Sequence, residues 1–255
     1  MNKIMNFPLL VLALSFVLLW LSVRIGVFFR QRRRGPDDEA REEFGVIVAA
    51  NLTLLGLIIG FTFSMAISRY DERKKYEAAE ANAIGTEYVR ADLLPLTDAV
   101  KVRALLRDYL DQRVRFYQTR DESERLRIGA ATAQLQAQLW SAAQVPAAAK
   151  PTPVIALAIS GMNDVLNSQG YTQAAWWNRI PPSAWALMIA IAICCSLVIG
   201  YGARRAAPKG ILLLVVPLVV SISFFLIADV DSPRGGMIRV PPQNLMSLAE
   251  SLHEH

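Results

Sequence analysis

Four basic residues follow directly after an apolar stretch of the sequence and are the side chains best suited to attract an anion. They are Arg69, Arg73, Lys74 and Lys75. If several copies of the chain surround a common axis, such residues form a ring of positive charge that concentrates anions at the mouth of a pore. The alternative is a solvated helix face on which the bases pair with their acidic neighbours Asp71, Glu72 and Glu77.

Small residues recur at every fourth position of the preceding apolar stretch, at Gly56, Gly60 and Ser64. On a helix this spacing keeps them on one side, where the backbone of another helix can approach closely. The stripe predicts either packing within one subunit or a role in a pore or an oligomer, and the pattern favours neither.

The sequence offers little for catalysis. Its only histidines are His253 and His255, and its only cysteines, Cys194 and Cys195, are adjacent in an apolar segment. A His-based catalytic triad or a zinc site is therefore not expected, and we predict neither enzymatic activity nor a cofactor.

Two carboxylates near the end of the last apolar segment, Asp229 and Asp231, are weak candidates for a metal site. The favoured interpretation is a helix end that meets water.

Four apolar segments must position these residues, over about 8–29, 46–67, 182–200 and 211–228. Each is close to the roughly 20 residues with which a helix spans the hydrocarbon core of a bilayer. Lipid offers backbone groups no hydrogen-bond partner, so such segments must be helical. We therefore expect an all-α, multi-pass membrane protein with four transmembrane helices.

A polar block with a helical pattern lies between the second and third segments. Residues 68–92 are rich in Glu, Ala, Lys and Arg and lack proline, so we expect the second span to continue as one helix to about Pro95. Further helices are predicted over about 97–118, 123–145 and 152–168, with a break at 146–153. Their apolar stripes need a partner, and we expect an extramembrane antiparallel bundle with Leu106 in its core.

These boundaries divide the chain into four parts. They are 1–67, with the first two spans and a short basic loop; 68–180, an extramembrane helical domain continuous with the second span; 181–230, with the last two spans; and 231–255, a C-terminal tail.

The basic residues are clustered beside the apolar segments, and the net charge is +5. Such clusters are typical of topology signals or contacts with lipid headgroups, and no zinc-finger spacing or aromatic-interleaved basic strand supports nucleic-acid binding. Loops 30–43 and 204–209 hold eight Lys or Arg, which favours a cytoplasmic position for both loops. Five further bases in 68–90 argue for the opposite orientation, and both orientations stay open.

Several motifs resemble a known family. The sequence GFTFSMAISRY at 60–70 looks like the pore helix of bestrophin anion channels, where Gly-Phe is followed two turns later by an Arg-aromatic pair. The motifs FGVI at 44–47, EANAIG at 80–85 and DVDSP at 229–233 fit a bacterial bestrophin-like family of unknown function more closely. The order of the four spans is similar over nearly the whole chain.

The resemblance implies a homo-oligomer in the bacterial inner membrane, a pentamer as in bestrophins, with the second span lining a chloride pore. It implies a constriction at Leu57 and Phe61, one turn apart, beside the packing positions Gly56, Gly60 and Ser64. Bestrophins carry a third apolar residue at the position of Thr53. This chain therefore departs from a gate built of three apolar rings.

Two further implications concern calcium and orientation. Arg234, Gly235 and Gly236 follow Pro233, where calcium-responsive bestrophins carry an acidic run, so a calcium clasp is not expected. The resemblance places the helical block inside the cell, against the count of basic residues in the short loops.

The leading hypothesis is an oligomeric channel for small anions. The alternative is a non-conducting membrane sensor or scaffold whose helical domain binds a partner. An ion-driven transporter is less favoured, because spans two to four contain no ionisable residue that could carry a proton.

Overall fold

A computed structural model describes residues 4–32, 38–202 and 212–253 of the chain. The basic residues Arg33, Arg34, Arg204, Arg205 and Lys209, together with His255, lie outside the described residues. The described parts form eight α-helices: α1 (Pro8–Arg32), α2 (Asp38–Arg90), α3 (Leu96–Gln118), α4 (Glu122–Ala149), α5 (Pro153–Trp177), α6 (Pro182–Gly202), α7 (Leu212–Asp231) and α8 (Gln243–His253).

The helices belong to two compact units. The membrane unit comprises Met1–Arg69 and Arg179–Arg239, and the helical unit comprises Tyr70–Asn178 and Val240–His255. Each unit is therefore assembled from two separate pieces of the chain.

The membrane unit contains four apolar segments long enough to cross a bilayer, as predicted. They are α1, the first half of α2, α6 and α7. Helix α1 packs against both α6 and α7, and it meets α6 where each helix carries a glycine. A Cβ atom on Gly26 would lie 2.2 Å from the backbone oxygen of Leu197, and one on Gly200 would lie 2.1 Å from that of Val23. The crossing therefore requires both glycines.

Helix α2 runs without interruption from Asp38 to Arg90, which confirms the predicted single helix through the second span and the polar sequence beyond it. A short 3-10 turn at Ala91–Leu93 ends it, immediately before Pro95. The helix continues because helix-forming residues fill the polar stretch and the lone Gly85 is not enough to stop it.

The helical unit has one hydrophobic core. Leu106, Tyr109 and Leu110 of α3 are fully buried there together with Ile84 of α2. The expectation that Leu106 lies in the core of a bundle against the extension of α2 is therefore confirmed.

Two predicted helix ends in this unit are wrong. Helix α4 begins at Glu122, close to the predicted start at about 123, and the Asp121 carboxylate caps it by accepting a hydrogen bond from the Ser123 amide at 3.1 Å. The helix then passes through the buried Pro146 to Ala149 instead of ending before it. Helix α5 continues past Gly170 to Trp177, because packing of its buried face outweighs the low helix propensity of one glycine.

The predicted C-terminal tail contains a helix. In α8, Leu245 and Leu252 are buried in the core of the helical unit, and Leu248 packs against Gly85 of α2, where an added Cβ would lie 3.1 Å from a Leu248 methyl carbon.

Candidate pore helix and its charged extension

One face of α2 is exposed along the membrane segment. Phe61 and Leu57 are 65% and 52% exposed, whereas Leu55 and Ala66 on the other side are 2% and 0% exposed. At 3.6 residues per turn, Thr53, Leu57 and Phe61 follow the exposed side of the helix. The two residues predicted to form a constriction therefore share a surface that the rest of the membrane unit leaves open.

The small-residue positions of α2 lie on or beside the same face. Apart from the local backbone of α2 itself, a Cβ atom on Gly56 or Gly60 would meet no described atom within 4 Å, and Ser64 is exposed. Within the part of the chain that the structure describes, these glycines therefore do not serve a close crossing, unlike Gly26 and Gly200.

Polar side chains on this helix are satisfied locally. The hydroxyl of Thr53 donates to the Ala49 carbonyl at 2.9 Å, and that of the buried Thr62 donates to the Ile58 carbonyl at 2.8 Å. A hydroxyl that bonds within its own helix can lie in a membrane without a partner from another helix. Thr53 thus adds a hydroxyl to the exposed face without leaving its hydrogen unpaired.

Only two of the four bases predicted to form a mouth are fully exposed. Lys74 and Lys75 are exposed, and Arg69 is half-buried and donates to the Met65 sulfur at 3.6 Å. Arg73, in contrast, is 1% exposed, and its Nε donates to the Ala175 carbonyl at 3.4 Å. Arg73 is therefore not part of an exposed ring, because it faces α5 instead of solvent.

Arg73 belongs to a stripe of buried charged residues on α2. Glu77, Glu80 and Glu87 are each 0–1% exposed, with the apolar Ile84 among them. The positions 73, 77, 80, 84 and 87 repeat at intervals of four and three residues, which is the spacing of a helix face that packs against other helices. The prediction that Glu77 pairs with bases on a solvated face is therefore wrong. The sequence analysis missed this stripe because charged residues are expected in solvent. Their spacing at intervals of four and three residues could have indicated a buried face.

Glu80 lies at the centre of a buried polar network. Arg113 of α3 donates to both of its carboxylate oxygens, from Nε to Oε1 and from Nη2 to Oε2 at 3.3 Å. The hydroxyls of Thr172 and Tyr117 reach Oε2 at 3.1 and 3.4 Å. This network joins α2, α3 and α5.

The electrostatics of this network follow from its burial. Burial, together with the charge of Glu80, raises the pKa of Tyr109 and of Tyr117 above the usual range, so both phenols stay neutral. Burial acts to lower the pKa of Arg113, but the adjacent Glu80 outweighs it and the pKa is raised. Arg113 therefore stays charged.

Glu77 holds the start of α8. Its Oε1 accepts hydrogen bonds from the Asn244 and Leu245 amides at 2.9 and 3.0 Å, and its Oε2 accepts one from the Asn244 side chain at 2.6 Å. A carboxylate at a helix N-terminus satisfies free amides and interacts favourably with the helix dipole. One residue of α2 thus fixes the last helix of the unit.

Glu87 is placed differently from the other two glutamates. Its carboxylate oxygens have no hydrogen-bond partner among the described residues. They lie against Gly161 of α5, where a Cβ atom would be 2.0 Å from Oε2. Gly161 therefore makes the space that this carboxyl group occupies.

Asp229 and Asp231 are buried rather than in water, so the interpretation of a solvated helix end is wrong. Asp229 accepts hydrogen bonds from the Met237 and Ile238 amides at 2.7 and 2.9 Å. Asp231 accepts from the Arg179 guanidinium at 3.0 Å and from the Ile180 amide at 3.1 Å. Both carboxylates thus tie loops to the end of α7, and no group of three or more potential metal ligands occurs among the described residues.

Comparison with known proteins gives consistent matches. A family model described as the Bestrophin-like domain matches residues 10–245. A crystal structure of a variant of a bacterial bestrophin homologue from Klebsiella pneumoniae is similar with a TM-score of 0.65 at 12% identity, covering 97% of this chain and 98% of the other. Another crystal structure of that homologue has a TM-score of 0.65 at 13% identity, with 96% and 97% covered. A search of curated protein sequences gives no significant match.

Proposed function

The chain belongs to the Bestrophin-like domain family, and from that premise we propose that it forms an oligomeric channel for small anions. The first half of α2 lines the pore in this proposal, and Leu57 and Phe61 form its narrowest part. The assembly is a pentamer in a bacterial inner membrane, by analogy with bestrophins. No enzymatic step is part of the proposal.

The observation that carries the proposal is the one-sided exposure of α2. A helix at the periphery of a membrane protein usually exposes bulky apolar residues to lipid. The open face of α2 carries Gly60, Ser64 and Thr53 among exposed apolar residues that include Leu54, Leu57 and Phe61. Small and hydroxyl-bearing residues between apolar ones suit a surface that lines a narrow pore with apolar constrictions.

The preference for anions rests on Lys74 and Lys75. Both are exposed on α2 beyond its membrane segment, and α2 carries no acidic residue between Gly45 and Tyr70. In a ring of copies, two lysines per subunit raise the local concentration of anions. Arg73 makes no contribution to this ring, because it is buried.

The test is anion flux through purified protein reconstituted in liposomes. An apolar ring resists hydrated ions because it cannot replace their water ligands, so shrinking its side chain widens and wets the pore. We expect Phe61→Ala to raise chloride flux over the wild type while the oligomer stays intact. The matched control is Phe29→Ala on α1, which removes the same side chain at a similar exposure of 56% and should leave flux unchanged.

The competing possibility is that Phe61 fills a closed contact between subunits. In that case neither the wild type nor Phe61→Ala conducts ions, and Phe61→Ala instead destabilises the oligomer by about 3–5 kcal/mol. Flux and oligomer stability measured on one preparation separate the two. Zero flux for wild type and Phe61→Ala, with an intact assembly under varied ions and voltages, would rule out the channel and leave a non-conducting sensor or scaffold.

A further inference from the structure

A cavity lies within the helical unit, between α3, α4 and α5. This half-open cavity has a volume of about 360 Å³, within the range of small-molecule sites in proteins. The residues considered so far for ion conduction are all on α2, and none of them lines this cavity. The cavity is thus a separate feature of the molecule.

The described lining of the cavity carries two arginines and no acidic side chain. Arg113 is one of them and is 1% exposed. Its Nε and Nη2 donate to Glu80, whereas its Nη1 has no hydrogen-bond partner among the described residues. This nitrogen is not among the fully buried atoms that lack a partner, so it keeps access to solvent and is available to donate to a ligand.

Arg125 is the second arginine. Its only ion pair in the described chain is with Glu122 in the preceding turn, whose side chain is 79% exposed. An exposed pair of this kind contributes little stability, so Arg125 can change partner at low cost. The hydroxyl of Thr132, which also lines the cavity, is buried and unpartnered among the described residues. The cavity therefore holds unused donors from two helices.

The remaining lining combines amides with aromatic rings. Gln169 and Gln173 are one turn apart on α5, and each supplies both a donor and an acceptor. Phe116 lies under the Arg113 guanidinium at 4.5 Å from its ring centroid, and Trp177 also lines the cavity. Flat aromatic surfaces beside amides and guanidinium groups suit a planar ligand.

Gly129 of α4 keeps the cavity open. It belongs to the lining, and a Cβ atom there would meet nothing within 4 Å. Glycine inside a helix is less favourable than other residues, and no close crossing requires it here. A side chain at this position would occupy the cavity.

We propose that this cavity binds a small aromatic carboxylate. The carboxylate lies between the guanidinium groups of Arg113 and Arg125. The ring lies against Phe116 and Trp177, and the amides of Gln169 and Gln173 bond to polar substituents. Binding supplies an acceptor for the Nη1 donor of Arg113. The ligand carboxylate is paired with Arg113 and Arg125, so no unpaired charge becomes buried.

The test uses benzoate as the probe, with benzamide as a neutral molecule of the same shape. Full-length protein in detergent micelles is titrated by calorimetry and by ligand-observed NMR, with empty micelles subtracted. We expect saturable benzoate binding that is at least about tenfold tighter than that of benzamide, since hydrogen bonds to a charged group are the stronger ones. Arg125→Leu should reduce benzoate affinity to that of benzamide.

Gly129→Leu should abolish benzoate binding by filling the cavity. Gly170→Leu is its matched control, because Gly170 has equally open surroundings but does not line the cavity; it should bind benzoate as the wild type does. Thermal melting checks that the variants fold, and Ala130→Trp, which adds a large side chain at another lining position, gives a second block if Gly129→Leu melts early.

Benzoate binding that survives both blocking substitutions would place the ligand elsewhere and overturn the proposal. Equal affinities for benzoate and benzamide would show that the cavity does not select a carboxylate. The absence of saturable binding would overturn the proposal entirely. None of these measurements depends on ion conduction, so they can fail or succeed independently of the channel.

Discussion

Arg113 of α3 and Glu80 of α2 form an ion pair that is shielded from solvent on both sides, with side chains 1% and 0% exposed. Two guanidinium nitrogens address the two carboxylate oxygens, which is the geometry that an arginine fork favours. The ion pair therefore connects α2 and α3 inside the core of the helical unit.

Removing one member of this pair should be far more costly than removing both. Glu80→Leu alone leaves the Arg113 charge buried without its partner, and we expect a loss of about 3–5 kcal/mol in the free energy of unfolding. The double variant Glu80→Leu/Arg113→Met should recover most of that loss, because no isolated charge remains. Denaturant unfolding followed by far-UV circular dichroism measures both. As a control, Arg125→Met breaks the exposed pair with Glu122 and should change stability by about 1 kcal/mol or less. Equal losses for the single and double variants would contradict this account.

Leu106→Asp should unfold or strongly destabilise the helical unit. The side chain is fully buried in the core, and an unpaired carboxylate there is costly to desolvate. Leu96→Asp is the control on the same helix: Leu96 is 82% exposed at the start of α3, where an acidic residue interacts favourably with the helix dipole. Thermal melting should separate the two variants clearly. A Leu106→Asp protein that melts with the wild type would exclude the observed packing.

Gly26→Ala should disrupt the membrane unit. The added methyl carbon would lie 2.2 Å from the Leu197 oxygen on α6, so the helices must move apart, at a cost of about 1–3 kcal/mol. Gly56→Ala makes the same change on α2, where an added Cβ would meet no described atom within 4 Å apart from its own local helix backbone, and should leave the subunit fold intact. Resistance to unfolding in mixed micelles of increasing SDS content is the readout. If Gly26→Ala resisted SDS as well as Gly56→Ala does, the close crossing of α1 and α6 would be disproved.

Glu77→Gln should loosen α8 without unfolding the unit. The carboxylate accepts three hydrogen bonds at the start of this helix, and an amide side chain offers one acceptor oxygen in place of two. We expect a loss of about 1–3 kcal/mol, localised as faster hydrogen exchange in residues 243–253. Asp71→Asn, at an exposed position of the same helix, serves as control and should leave exchange in α8 unchanged. Uniformly faster exchange across α3 and α4 would contradict a local role for Glu77.

The spans and the continuity of α2 could be predicted from the sequence because their signals are local. Apolar runs near 20 residues have few alternatives in lipid, and the absence of proline from 46 to 94 allows one helix. Phe61 and Leu57 could be placed on one face by spacing alone.

The features that could not be predicted depend on partners distant in the sequence. Arg73 was expected at an exposed mouth and Asp229 in water, but each has a partner in another segment of the chain. Charged residues are usually solvated. On α2, only the spacing of Arg73, Glu77, Glu80 and Glu87 at intervals of three and four residues indicated that they are buried. Gly26 and Gly200 gave no local signal, because a close crossing appears only when two helices meet.

The composition of the helical unit has a consequence for its biosynthesis. Its core takes in Leu245 and Leu252, which the ribosome makes only after α6 and α7 have been synthesised. At roughly 5–20 residues per second, the nascent segment 70–178 waits several seconds with Glu77 unbonded and the apolar surface under α8 uncovered. During this interval α6 and α7 can enter the bilayer while the unit is still incomplete. Final closure of the core therefore waits until α8 has been synthesised, after both of the last two membrane helices.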